Sequence, residues 1–329
     1  MEAKTLTKAD LQQLQDYNKK IYPDKVIPAK DYLEFWFNRN ERALDQCLIL
    51  REEDGSVHGQ VLASEMSYYY KQERTDTVWL FDLIVDEDLR KTGWGVDVLL
   101  ACMDKHPRSC STGSGPTALP IHLKMGNKML GEIRKYVGIV NPLSMFISLF
   151  RTNIKAEKFP SSVTVNGKTF RELSREEMPA LTKPYNDNLL EIARNREFLQ
   201  WRYFNDLHPY AFYKDEQSDD FFVVRTTIQK HMTVMLLVDY RCDMSDAKAF
   251  ENIYLAAKKV MSKLHIGMLI AGSSLKVVDD VLESHGCKSI GRPRPVIGFV
   301  KVKDRKADVE ARTFLLTTFA DSDGETNWV

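Results

Sequence analysis

Apolar positions recur every three or four residues near the start of the chain. Leu11, Leu14, Tyr17 and Ile21 share a helical stripe, and Thr7 with Asp10 makes a T-x-x-D helix start, an aspartate variant of the capping box. A second helical stretch follows Pro28 and carries Tyr32, Leu33, Phe35, Trp36 and Phe37. The pattern then changes to strands. Residues 46–51 are one candidate, Asp54-Gly55 reads as a two-residue hairpin turn, and residues 57–70 form the returning strand. Residues 77–85, TVWLFDLIV, make a third. The polar stretch DEDLRKTGWG opens a helix over 96–105, with Val98, Leu99 and Cys102 on one face. A short strand at 109–112, a helix over 117–125 led by Pro116, and a strand at 133–140 complete the first half.

Residues 151–168 are polar, contain Pro160, Asn166 and Gly167, and read as a linker. The same order of elements then returns. A strand at 169–173 precedes helices over 175–203 and strands at 210–214, 221–228 and 232–240. After these come a helix over 246–264, a strand at 266–271, a helix over 275–285 and a strand at 295–303. The pattern predicts two α/β domains in tandem, each a mixed, mostly antiparallel sheet flanked by helices. The expected boundaries are 1–150, a linker at 151–168, a second domain at 169–303 and a charged tail at 304–329.

Composition narrows the function. Forty-six basic residues balance forty-six acidic ones, which argues against a protein devoted to nucleic acid. The five cysteines are dispersed without C-x-x-C spacing, so neither a disulfide framework nor a zinc ribbon is expected, and a reducing cytoplasm fits best. The apolar stretch 137–150 is broken by Asn141 and Pro142 and is too short to span a bilayer. No signal peptide is legible at the start of the chain.

The segment that points to chemistry is Arg90-Lys91-Thr92-Gly93-Trp94-Gly95, between a strand and a helix. A pyrophosphate needs several donors converging on a small volume. The first turn of a helix supplies unpaired N–H groups and a favourable dipole. Glycine permits close approach, and Arg90 adds a fixed positive charge.

R-x-x-G-x-G after such a strand resembles the acyl-coenzyme A signature of the GNAT (N-acetyltransferase) superfamily, and residues 1 to about 145 follow that family's order of elements. The H-L-K-M-G stretch from His122 to Gly126 resembles the family's Y-x-x-x-G close. The resemblance implies acetyl-coenzyme A as acyl donor, bound by Ile84, Val85, Arg90, Lys91, Thr92, Gly93, Trp94, Gly95 and Val96. Its pantetheine arm would lie between splayed strands 77–85 and 109–112. The resemblance also makes Asp82 the candidate base; a structural ion pair or an exposed face would equally account for an aspartate there. His122 stands where the family has a tyrosine acid, and an active imidazolium would make activity fall above about pH 7. The acceptor implied is a small-molecule amine such as an amino sugar or amino acid. A non-catalytic coenzyme- or partner-binding protein and a Fem-type aminoacyl transferase remain as alternatives.

Gly113-Ser114-Gly115-Pro116-Thr117-Ala118 matches a dinucleotide fingerprint, but strand 133–140 contains no acid to bind a ribose. Histidines are scattered without metal-ligand spacing. In the second half, Phe198-Leu199-Gln200-Trp201-Arg202-Tyr203, with His208-Pro209 and Tyr213, loosely resembles tandem bacterial GNAT-like proteins, as does the closing DSDGE. The aromatic stretch is core in the simplest reading and a wall of the acceptor groove in a sharper one. Arg241-Cys242-Asp243-Met244-Ser245-Asp246 offers acids where phosphates would sit, so this half is a degenerate copy without coenzyme. Asp321-x-Asp323-Gly324 is too incomplete for a calcium loop and reads as a solvated terminus.

Overall fold

The computed structural model describes residues 1–24, 27–70, 72–148, 158–186, 189–229, 231–300 and 315–321. The chain divides into two compact units. The first contains Met1–Tyr68, Arg74–Gly131 and a segment starting at Pro295. The second contains Tyr69–Glu73, Glu132–Arg294 and residues 315–321.

In the first unit the elements are β1 (Glu2–Thr5), α1 (Leu11–Ile21), α2 (Ala29–Phe37), α3 (Ala43–Gln46), β2 (Leu48–Arg51), β3 (Val57–Tyr70), β4 (Glu73–Val85), α4 (Trp94–Lys105), β5 (Arg108–Thr112) and α5 (Ala118–Lys124). The capping box at Thr7 and Asp10 forms as expected, on a 3-10 turn that leads into α1. Asp54-Gly55 is part of a five-residue loop instead of a two-residue turn. Glu52 N–H donates to the Ser56 carbonyl, and Gly55 takes φ +95°. Strand β1 left no hydrophobic signature because it is an edge strand with exposed, mostly polar side chains. The core lies between the sheet and α4: Leu48, Leu50, Val61, Ala63, Val78, Leu80 and Val85 pack on Val98, Leu99, Cys102 and Met103.

The second unit begins within β6 (Lys128–Ile139). It continues with α6 (Pro142–Ser148), β7 (Ser162–Val165), β8 (Lys168–Glu172), β9 (Leu190–Ile192), α7 (Arg196–Tyr203), β10 (Tyr210–Asp215), β11 (Phe221–Gln229), β12 (Met232–Arg241), α8 (Ala247–Lys263), β13 (Met268–Ser273), α9 (Lys276–Ser284), β14 (Lys288–Val300), which passes into the first unit at Pro295, and β15 (Leu315–Leu316). Residues 162–168, expected in the linker, instead form a hairpin: β7 pairs with β8 across Asn166 and Gly167, both at positive φ. Residues 151–157 lie outside the described residues. The helices expected over 175–203 shrink to one 3-10 turn and α7, since Pro179 and Pro184 interrupt the segment. Helix α8 buries Phe250, Ile253, Ala257, Val260 and Met261 against β11, β12 and β13.

The two units repeat one motif and exchange one strand. In the first, β4 leads to α4, the parallel strand β5 and α5; in the second, β12 leads to α8, the parallel strand β13 and α9. The strand after α5, β6, pairs antiparallel with β13 of the second unit. The strand after α9, β14, pairs antiparallel with β5 of the first, Val296 facing Thr112. Cutting the chain near residue 150 therefore takes the β14 strand away from the first sheet.

Candidate active site

Helix α4 begins with Gly93 as N-cap at φ +97°, and no side chain caps it. A Cβ on Gly93 would meet nothing within 4 Å. Glycine is needed there for its backbone, and the space in front of the helix start is open. Gly95 differs, since its Cβ would touch Val85 at an ordinary 3.7 Å, so this glycine does not hold the approach open. The N–H groups of Trp94 and Gly95 stand in the first turn, where intrahelical acceptors are lacking. Arg90, Lys91 and Thr92 are exposed beside them, Thr92 donating its hydroxyl to the Leu89 carbonyl. Among the described residues no ion pair engages Arg90 or Lys91.

The turn is anchored from below. Asp86, buried, accepts from Lys20 Nζ at 2.9 Å and bonds His58 Nδ1 at 2.9 Å, while its N–H donates to the His58 carbonyl at 2.8 Å. Gly59 lies so close to Ile84 and Val85 that a Cβ would stand 3.1 Å from the Ile84 carbonyl oxygen and 2.8 Å from Val85. None of these partners was visible in the sequence, because each lies more than twenty-five residues from Asp86.

Strands β4 and β5 pair in parallel only at Val78, Trp79 and Leu80 with Ser109, Cys110 and Ser111. Beyond Leu80, β4 continues to Val85 without pairing to β5, with β3 as its neighbour on the other side. Two residues past the last pair stands Asp82, with φ +48°. An aspartate in this left-handed region marks a local kink, since few non-glycine residues adopt it. Its carboxylate is half-buried and accepts from Tyr22 Oη at 3.0 Å and from Tyr32 Oη at 2.9 Å. Among the described residues no cation pairs with it, and it is not freely exposed. On other residues of the same strand, Trp36 packs at 4.2 Å between ring centroids on Phe81 and edge-on to Trp79.

His122 is buried on α5, only 3% exposed, and its Nδ1 has no hydrogen-bond partner. Burial pushes its pKa down to about 4. The imidazole is therefore neutral near pH 7, and the expected loss of activity above that pH does not follow from this environment.

The second unit treats the same positions differently. Strands β12 and β13 pair at Met235, Leu236 and Leu237 with Leu269, Ile270 and Ala271, and again an aspartate, Asp239, stands two residues past the last pair. It is fully buried. Arg194 clasps both its oxygens at 2.8 and 2.9 Å, Tyr203 Oη donates at 2.5 Å, and Thr318 Oγ1 donates at 2.8 Å. Arg194 also donates to Asp321 at 2.8 Å. Asp321, expected in a solvated terminus, is thus buried in an ion cluster, and burial pushes its carboxyl above the usual range. Residues 315–321 fill the splay of β12 and β13: Ser274 Oγ donates to the Leu315 carbonyl, and a Cβ on Gly272 would strike the Phe319 ring at 2.8 Å. At the start of α8, Asp246 caps Lys248 N–H. Asp243 accepts from the Ser245 hydroxyl and N–H, which hold its carboxyl below the usual range. Phe198, Leu199, Arg202, Tyr203 and Tyr213 are buried, so the aromatic segment is core.

No protein-family model matches the chain, and no curated protein matches it in sequence. Solved structures do. A GCN5-related N-acetyltransferase from Anabaena variabilis superposes with a TM-score of 0.63 at 10% identity, covering 92% of this chain and 73% of that one. N-myristoyltransferase of Saccharomyces cerevisiae with bound myristoyl-CoA gives 0.58 at 13% identity, over 91% and 82%. A probable N-acyltransferase from Enterococcus faecalis gives 0.60 at 13%, over 91% and 73%. Among the described residues no helix is long and apolar enough to cross a membrane, and no group of side chains has metal-site geometry. Over nine-tenths of its length, the chain has the fold of the GCN5-related N-acetyltransferases.

Proposed function

We propose that the protein is an acyl-coenzyme A-dependent N-acyltransferase that uses acetyl-coenzyme A, binds it in the first unit only, and acylates the amine of a small molecule. The observation that carries this reading is local to β4. The strand parts from β5 after Leu80 and leads straight to a helix start that has no side-chain cap, a left-handed glycine and unpaired Arg90 and Lys91. Such a start can take a pyrophosphate on Thr92, Gly93, Trp94, Gly95 and Val96, with Arg90 and Lys91 beside it. The strand edge at Ile84 and Val85 can bond the pantetheine arm as an added strand would.

In the reaction the acceptor must lose a proton before its nitrogen attacks the thioester carbonyl carbon. The carbon–sulfur bond then breaks, its electrons go to sulfur, and the thiolate takes up a proton. In this reading the Asp82 carboxylate, two residues beyond the last β4–β5 pair, accepts the first proton. His122 can supply the second only from a neutral imidazole N–H, a weaker acid than an imidazolium. That weakness is the one observation that favours a non-catalytic, coenzyme-binding protein as the second reading. Both readings meet one test. Calorimetry with acetyl-coenzyme A and its longer acyl homologues measures binding, and thiol release with a panel of amines measures transfer. Binding with amine-dependent thiol release supports the transferase, binding without it supports the second reading, and absence of binding contradicts both.

A further inference from the structure

One end of the second unit combines exposed apolar side chains with one-sided charge. Pairing of Gln229 with Met232, Met235 with Leu269 and Met268 with Ile139 brings the β11–β12 turn, the start of β13 and the end of β6 to the same end of the sheet. Helix α6 leaves β6 there. The Gly267 carbonyl accepts the N–H groups of Val140 and Asn141, and a Cβ on Gly267 would stand 2.2 Å from the Met145 nitrogen. The helix is thus pinned against the entry to β13, and in that position it is inside out. Ser144 is 7% exposed, whereas Leu143, Phe146 and Ile147, three and four residues apart, are 68, 58 and 47% exposed. Ile139, at the end of β6, is 57% exposed. An amphipathic helix ordinarily turns such a stripe inwards, and a contiguous exposed one marks an interaction surface.

The charge at this end says what the partner is. The chain holds 46 acidic residues in 329, yet residues 133–148, 221–238 and 252–278, which converge here, contain neither aspartate nor glutamate. Lys259 and Lys263 are exposed on the last turns of α8, just before β13, and donate to the neutral carbonyls of Thr164 and Ser162, which leave their charge in place. We infer that this end of the second unit rests on a membrane surface of anionic lipid. Leu143, Phe146 and Ile147 enter the boundary between headgroups and acyl chains, and the lysines lie among the headgroups. A second copy of the chain fits this face poorly. A two-fold contact would set the same lysines against each other, with no acid from these segments between them. A short apolar stripe joined to a few lysines gives reversible attachment, not a permanent anchor. The inference concerns one face of the second unit and does not depend on the transferase reading.

Flotation of the full chain with vesicles tests this, using phosphatidylcholine alone and phosphatidylcholine mixed with phosphatidylglycerol. The protein should float with the mixed vesicles, partitioning about tenfold or more above the neutral ones, and high salt should release part of it. Lys263→Gln should lower the partition about fivefold, the share of one lysine at an anionic surface. The double variant Leu143→Ser, Phe146→Ser should lower it about tenfold or more. Both side chains are exposed, so the denaturation midpoint of that variant should stay where it is. Absence of flotation with either vesicle overturns the inference, and so does equal partition onto both. Wild-type flotation of the double variant overturns it as well. Sedimentation without lipid covers the remaining occupant: a dimer that the double variant abolishes would assign the stripe to a contact between copies and overturn the membrane surface.

Discussion

Two helix starts in this molecule follow the same strand position and prepare for opposite charges. At α4 the cap is a left-handed glycine with open space before it and exposed basic residues alongside. At α8 the cap is the Asp246 carboxylate, reinforced by Asp243 in the preceding turn. Both solutions satisfy a helix N-terminus. An internal carboxylate closes the site to anions, whereas the glycine leaves its N–H groups for a ligand. The same division recurs two residues past the parallel pairs, where Asp239 is sealed by Arg194 and Asp82 is left accessible. One copy of the motif has turned its polar groups on itself. The other has kept them facing outwards.

The sharpest way to break this comparison is to give the first helix start the chemistry of the second. Gly93→Asp places a carboxylate where phosphates are proposed to bind and strains a backbone at φ +97°. Calorimetry should detect no coenzyme binding, while Arg90→Ala should weaken it about tenfold, the loss of one charged hydrogen bond. Wild-type affinity in Gly93→Asp would remove α4 from the site.

The next largest effect lies in the second unit and concerns stability. Arg194→Ala leaves Asp239 and Asp321 facing each other uncompensated in a buried site, a loss of about 3–5 kcal/mol. Asp82→Asn, where no cation is buried, should change the denaturation midpoint far less. Equal midpoints for the two variants would show that the buried cluster is not what distinguishes the units.

What the sequence disclosed here follows from the range of each interaction. The β4–turn–α4 segment was legible because an apolar run, a basic residue and two glycines lie within twenty residues. The hydroxyls that hold Asp82 come from 60 and 50 residues away and carry no local signature. Asp321 looked solvated because its neighbours are acidic and polar; its burial depends on Arg194, 127 residues earlier. The exchange of β6 and β14 was equally hidden, since a strand's alternation is the same whichever sheet receives it.

A smaller effect separates packing from proton transfer at His122. Its pKa of about 4 lies below the ordinary 6.5, so unfolding takes up a proton between those values. Stability is complete above about pH 6.5 and falls as pH drops towards 4, by roughly 3 kcal/mol at most. Replacing it, as His122→Phe, should flatten that acid limb in denaturation experiments. No limb near pH 7 in the rate profile should depend on this residue. A rate limb near pH 7 that vanishes in His122→Phe would show that the imidazole is charged in the working enzyme.

The division of labour between the units is tested most directly by the stoichiometry of coenzyme on the intact chain, since separating the halves would remove the β14 strand from the first sheet. Titration of the full protein with acetyl-coenzyme A should give one site per chain, with hydrogen-exchange protection confined to residues 84–96 and the neighbouring β5. Two sites, or protection at residues 240–246, would contradict the proposal that only the first unit binds coenzyme.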